Sequence, residues 1–153
     1  MKKRTVFLLA LTAVCGICCA GCGGGDDAPK NYKDGTYTAQ SEEYVNDDKD
    51  DTAGNGYGVV KLTIKDNKIT ECEFHTFELD GTPKDENYGK ENGEIANRDF
   101  YNKAQKAVGA CDQYAAKLVE KGKLSGVDAI SGATINYNEF KEAAGAALKQ
   151  AEQ

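Results

Sequence analysis

The hydrophobic pattern along the chain changes period as it runs. Across residues 57–65 it alternates: Val60, Leu62 and Ile64 fall on one side, Lys61, Thr63 and Lys65 on the other. That is the period of a strand with one buried face. Asp66-Asn67 follows as a tight-turn pair, and residues 68–79 return with Ile69, Cys72, Phe74 and Phe77. The apolar positions change parity within that return strand, which predicts a bulge in a β-hairpin. Ahead of the hairpin, Asp34-Gly35-Thr36-Tyr37-Thr38 is a turn leading into a further strand over residues 35–45. From residue 94 to 121 the period lengthens. Tyr101, Ala104, Val108, Cys111, Ala115 and Leu118 recur at spacings of three and four, one stripe of a long helix. Gly109 inside it predicts a bend or break, and Gly122 a C-cap. A second helix is predicted over 137–151, with Phe140, Ala144, Ala147 and Leu148 on one face. These elements predict an α+β fold: a mostly antiparallel sheet built on the hairpin, with C-terminal helices packed on one face.

The segments without period are loops. Residues 46–56 hold Asp47, Asp48, Asp50 and Asp51, but they lack the sixth-position Gly and closing Glu of an EF-hand. A solvated loop is predicted there. Residues 80–93 are polar and Gly-rich, and Tyr88 and Lys90 within them are candidates to line a pocket. His75 is the only histidine, beside Glu73 on the outer side of its strand, and reads as a surface residue. Neither a Ser-His-Asp set nor a Cys-His set is present, which leaves little for general acid–base or nucleophilic catalysis.

Residues 1–21 carry Lys2, Lys3 and Arg4, then an apolar run from Thr5 through Ile17, a signal-peptide pattern. Cys19-Ala20-Gly21-Cys22 resembles a bacterial lipobox. Small residues precede Cys22, which would become the acylated N-terminus, although Cys19 stands where an aliphatic residue is usual. Residues 22–33, with three consecutive glycines, two aspartates and Pro29, read as a flexible tether, and 34–153 as the domain. Cysteine usage follows from this division. Cys15, Cys18 and Cys19 leave with the signal peptide, Cys22 takes lipid, and Cys72 and Cys111 remain at core-facing positions. They form either a disulfide or two buried thiols. No metal-ligand spacing remains in the mature chain. Without Lys2, Lys3 and Arg4, 16 basic residues stand against 25 acidic ones, a formal charge of −9. Such a surface excludes nucleic acid and anionic headgroups as partners.

The candidate chemistry lies between the two helices, in Asp128-Ala129-Ile130-Ser131-Gly132-Ala133-Thr134. Gly132 permits φ > 0 or a close backbone approach. Val127 and Ile130 anchor the flanks. Thr134 offers a hydroxyl just before a helix start, where Asn136 and Glu139 form a capping-box-like pair. Asp128-x-x-Ser131-Gly132-Ala133-Thr134 resembles, at every position, the Asp-x-x-(Ser/Thr)-Gly-Ala-(Thr/Ser) motif of the FMN-binding domain family. The Asp34-Gly35-Thr36-Tyr37 opening is similar to the start of that family, and the likeness extends over most of residues 33–153.

That family includes flavin-bearing subunits of sodium-pumping NADH:quinone reductases and of Rnf-type complexes, and flavinylated extracellular lipoproteins. The resemblance implies FMN held covalently on Thr134 by a phosphoester, attached by a separate flavin transferase. Ser131, Gly132 and Ala133 would shape the loop that the transferase reads. Asp128 would orient Thr134 or help bind the transferase's metal; the alternative is a turn-stabilising Asx bond. Phe100, Tyr101 and Tyr114 become candidates to flank the flavin ring. The implied role is an electron carrier, not an enzyme, on the extracytoplasmic face of a bacterial membrane. It would stand between a membrane donor of the quinone or NADH-dehydrogenase type and an extracellular acceptor. Subunits of the pumps normally use a transmembrane anchor, so Cys22 favours a lipoprotein over an accessory pump subunit. The alternative is a non-redox surface lipoprotein, a binding module with Thr134 unmodified.

Overall fold

The computed structural model describes residues 30–48 and 52–153. The predicted signal peptide, Cys22 and most of the predicted tether lie outside the described residues. Three strands, β1 (Gly35–Gln40), β2 (Tyr57–Lys65) and β3 (Lys68–Phe77), form an antiparallel sheet in the order β1-β2-β3. Two helices follow, α1 (Arg98–Lys121) and α2 (Thr134–Ala151), with a 3-10 turn at Leu124–Gly126 between them. The architecture is the expected α+β one: α1 lies over β3, and α2 over β1 and β2.

The hairpin follows its local chemistry. Asp66 and Asn67 both adopt left-handed backbone, φ 51° and 60°, as a two-residue type I′ turn demands. Thr63 pairs with Glu71, but its neighbour Ile64 pairs with Ile69, so Thr70 is the extra residue of a bulge. The bulge lets Ile69 face the core on one side of it, and Phe74 and Thr76 on the other. Phe77 falls instead on the opposite face, stacked on Tyr57 at 5.4 Å. β1 is shorter than the predicted 35–45. It stops where the Ser41 hydroxyl accepts the Gly58 N–H at 2.9 Å, and the chain touches the sheet again only at the Tyr44–Gly56 bridge. Residues 31–33 run beside the chain's end, with Lys33 N–H donating to Ala151 O at 2.8 Å.

The core fills the space between sheet and helices. Val60, Leu62, Tyr114, Leu118 and Phe140 are fully buried, and Phe140 meets Phe74 edge-on and Tyr114 face-on. Ala143, Ala144, Ala147 and Ala151 bring α2 close to the strands with little side-chain bulk. α1 begins at Arg98 instead of residue 94, because Asn97 Oδ1 caps it by accepting the Phe100 N–H at 3.0 Å. It runs unbroken through Gly109, and Gly122 ends it with φ 64°. α2 starts at Thr134, three residues earlier than predicted, so Asn136 is not its cap. Cys72 and Cys111 are free thiols, so the disulfide alternative is not realised. Burial and the neighbouring Glu73 push Cys72 up to about 12, and burial also raises Cys111. Among the described residues, no helix is long and apolar enough to cross a membrane.

Candidate functional site

The motif loop is a turn clamped from beneath. Ala133 N–H donates to Ile130 O at 3.0 Å, and Gly132 takes φ 83°. A type II turn needs that conformation at its third position, and glycine adopts it without steric cost. The Tyr114 hydroxyl donates to Ala133 O at 3.1 Å and accepts the Ile130 N–H at 2.9 Å. The Tyr137 hydroxyl donates to Val127 O at 2.9 Å. Val127 is buried and Ile130 half-buried, the two anchors the sequence predicts.

Thr134 is exposed as the first residue of α2. Ala133 occupies the cap position and no side chain caps the helix. The N–H groups of the first turn therefore have no capping side chain, and the helix presents its positive end beside the Thr134 hydroxyl. Asn136 is turned inward instead: its Nδ2 donates to Ala107 O at 3.0 Å and to Cys111 Sγ at 3.3 Å. Glu139, its expected capping partner, is buried at 3% exposure. Packing against α1 has outweighed the capping preference.

Beside Thr134 lies a cavity of about 510 Å³. Gly132 to Asn136 form one wall, Phe100, Lys103 and Val108 of α1 another, and Lys84 and Tyr88 from the loop after β3 a third. That loop is pinned to Gly54, whose O accepts from Lys84 Nζ at 2.9 Å and whose N–H donates to the Tyr88 hydroxyl at 3.1 Å. Asp128 and Ser131 are exposed and stand outside the cavity wall. Of the aromatic candidates, Phe100 and Tyr88 line it. Tyr101 and Lys90 support the loop from outside: the Tyr101 hydroxyl donates to Glu86 O at 3.1 Å, and Lys90 lies 5.9 Å over the Tyr101 ring. Tyr114 belongs to the core. Sequence reasoning missed three residues here, Lys84, Lys103 and Lys106. Lys106 lies alongside the turn, its Nζ 3.4 Å from where a Gly132 Cβ would stand. No period marks Lys84, and nothing in its polar loop signals that it folds inward.

Lys84 is 6% exposed, and burial lowers its pKa while Glu139 and Glu78 pull it back up. Burial raises Glu139, with Lys84 opposing. Burial also raises Tyr114, against the bond from Ile130. His75 is exposed on β3, as expected. Among the described residues no cluster of His, Cys, Asp and Glu could hold a metal.

The cavity suits an anionic, flat cofactor. Its volume falls within the roughly 300–1,000 Å³ of small-molecule sites. Lys84 and Lys103 line it together with aromatic and aliphatic side chains, and Lys106 lies beside Gly132. Among known families, the FMN-binding domain matches residues 54–149, a span that includes nearly every wall of the cavity. A crystal structure of the CPE2226 protein from Clostridium perfringens is 26% identical, with TM-score 0.55, over 78% of this chain and 88% of that one. A solution structure of a protein from Clostridium thermocellum is 25% identical, with TM-score 0.40, over 77% of this chain and 91% of that one. No curated protein matches the chain.

Proposed function

The chain belongs to the FMN-binding domain family, and from that premise we propose that it is a lipid-anchored, extracytoplasmic electron carrier with FMN joined to Thr134 by a phosphoester. The observation that carries the reading is the exposed Thr134 hydroxyl at the uncapped start of α2, on the rim of the cavity. A phosphate there gains from the helix dipole, about 0.3–1 kcal/mol at an exposed site. Lys103 and Lys106 add positive charge on the same side. Phe100 and Tyr88 would hold the flat ring, and Lys84 would face it from the far wall. Bound FMN supplies one- and two-electron exchange. The chain's residues supply attachment, orientation and charge.

Asp128 and Ser131 support a different part of the reading. Exposed and outside the cavity wall, they are accessible to the flavin transferase. Cys22 would carry the lipid and hold the domain at the outer face of a bacterial membrane. The partners would be a membrane donor of the quinone or NADH-dehydrogenase type and an extracellular acceptor.

The test is the intact mass of the protein after co-expression with a flavin transferase, with peptide mapping. The expected result is an added FMN, less water, on the peptide that holds Thr134. Thr134→Val removes that mass and leaves the thermal transition in place. Flavin still attached to the valine variant would exclude Thr134 as the site. An unmodified wild type would favour the non-redox binding module.

A further inference from the structure

Beside the cavity lies a set of buried polar side chains, two of which, Lys84 and Asn136, also line it. Lys84, Asn136, Glu139, Cys111 and Thr76 are each 6% exposed or less. Four of them have partners: Lys84 on Gly54 O, Asn136 on Ala107 O and Cys111, and Cys111 4.0 Å from the Thr76 hydroxyl. Glu139 differs. Neither of its carboxylate oxygens has a hydrogen-bond partner among the described residues.

Two glycines let Lys84 and Glu139 approach the sheet closely. Positions 56 and 58 continue the inward parity of Val60, Leu62 and Ile64. A Cβ at Gly56 would stand 1.9 Å from Phe77 O and 2.8 Å from Lys84 Nζ, and one at Gly58 would stand 2.6 Å from the Phe74 ring and 3.0 Å from Glu139 Cβ. Neither position has room for a side chain, so the Lys84 ammonium, the Phe74 ring and the stem of Glu139 pack directly against bare backbone. Burying such ions is costly, and replacing buried ionic groups by apolar ones is often neutral or stabilising. Buried groups of this kind gather at functional sites. Lys84 lines the cavity, and so does Asn136, one turn before Glu139 on α2.

We propose that Glu139 is the proton acceptor that balances negative charge arriving in the cavity, with Lys84 coupling the two. The inference rests on the flavin reading above. Lys84 lines the cavity, and its charge acts on the Glu139 carboxylate. When a two-electron donor, a membrane quinol or dithionite in the test, reduces the ring, the ring takes two electrons and one proton from water. One negative charge stays in the cavity and draws on Lys84. Glu139, its counter-charge now shared, takes a second proton from water. In total, two electrons and two protons enter, and the net charge is unchanged. The other ionisable group that acts on Glu139 is Glu142 on its own helix; Glu139 in turn acts on the Cys111 thiol of α1, Glu78 acts on Lys84, Asp112 acts on Cys111, and Gly58 of β2 brings no charge.

The test uses the full flavin-loaded protein. The midpoint potential is titrated against pH in wild type, Glu139→Gln and the control Glu142→Gln. Redox-difference infrared spectra are recorded on the same samples. In wild type and in Glu142→Gln, the potential falls with pH more steeply than in Glu139→Gln over some window. The excess is about 30 mV per pH unit, the value of a tenfold change for a two-electron couple. Reduction also produces a protonated-carboxyl band, which Glu139→Gln abolishes and Glu139→Asp restores at a shifted position. Equal slopes in wild type and Glu139→Gln overturn the proposal. So does the absence of that band from wild type alone, should the variants fail to fold. Protein that carries no flavin after co-expression overturns both readings; flavin on Thr134 with equal slopes overturns this one only.

Discussion

Tyr114→Phe isolates what holds the motif loop. The substitution keeps the ring, which packs 5.6 Å from both Phe140 and Tyr137, and removes only a hydroxyl that makes two bonds. Each such bond has a net worth of about 0.5–1.5 kcal/mol. The two groups left behind differ. Ala133 O keeps the Tyr137 N–H at 3.0 Å, so it is not orphaned. The Ile130 N–H loses its partner in a half-buried residue, where water replaces it incompletely. The expected loss is therefore about 2–3 kcal/mol, below the cost of two fully buried orphans. In a domain of this size it corresponds to a melting temperature lower by about 10 °C. Urea denaturation should show the midpoint falling with the slope unchanged. Flavin attachment to Thr134 should fall with it, because the turn that presents Thr134 loosens. Tyr137→Phe, which loses one bond to Val127 O, should cost about half as much. A loss below about 0.5 kcal/mol in Tyr114→Phe, with full flavin incorporation, would refute the claim that this hydroxyl holds the loop.

Gly132→Ala should cost about 1–2 kcal/mol by backbone strain at φ 83°, since the Lys106 atoms near the new Cβ lie at ordinary contact distances; a thermal melt checks this. Gly56→Ala should prevent folding, because the added Cβ would stand 1.9 Å from Phe77 O; loss of soluble protein or of the circular-dichroism signal is the readout. Asn97→Ala should cost about 1 kcal/mol through the lost cap of α1, read from urea unfolding. The stability–pH profile should carry the mark of Glu139. Its folded pKa is raised, so its contribution is complete below the ordinary carboxylate value near pH 4 and is lost as pH rises through the folded value. Glu139→Gln should flatten that decline, and an unchanged profile would mean that burial does not raise Glu139. Lys84 acts in a more alkaline window: its folded pKa is lowered, so its contribution is present above its ordinary value and is lost as pH falls through the folded one.

What local chemistry decides was legible in the sequence. The hairpin, its Asp66-Asn67 turn, the parity change at the bulge and the Gly122 cap each depend on a few neighbouring residues and their backbone preferences. The motif from Asp128 to Thr134 was legible too, because a glycine turn with a hydroxyl beyond it is a local statement. The start of α2 was not. Asn136 has a strong preference for the cap position, yet α1 offers it Ala107 O and Cys111 as partners, and the helix begins before it. Tyr114 falls among the helical aromatics and reads as a ring that could flank a ligand. Only the fold turns its hydroxyl beneath the motif loop. Lys84 reads as a charge in a polar loop, and Glu139 as the capping partner of Asn136. The fold buries both, and Gly56 and Gly58 let Lys84 and the stem of Glu139 approach the strand closely. Periodicity records which face of an element is apolar. Which side chain fills a given space depends on volumes contributed by segments far apart in the chain, and those exist only once the layers have packed.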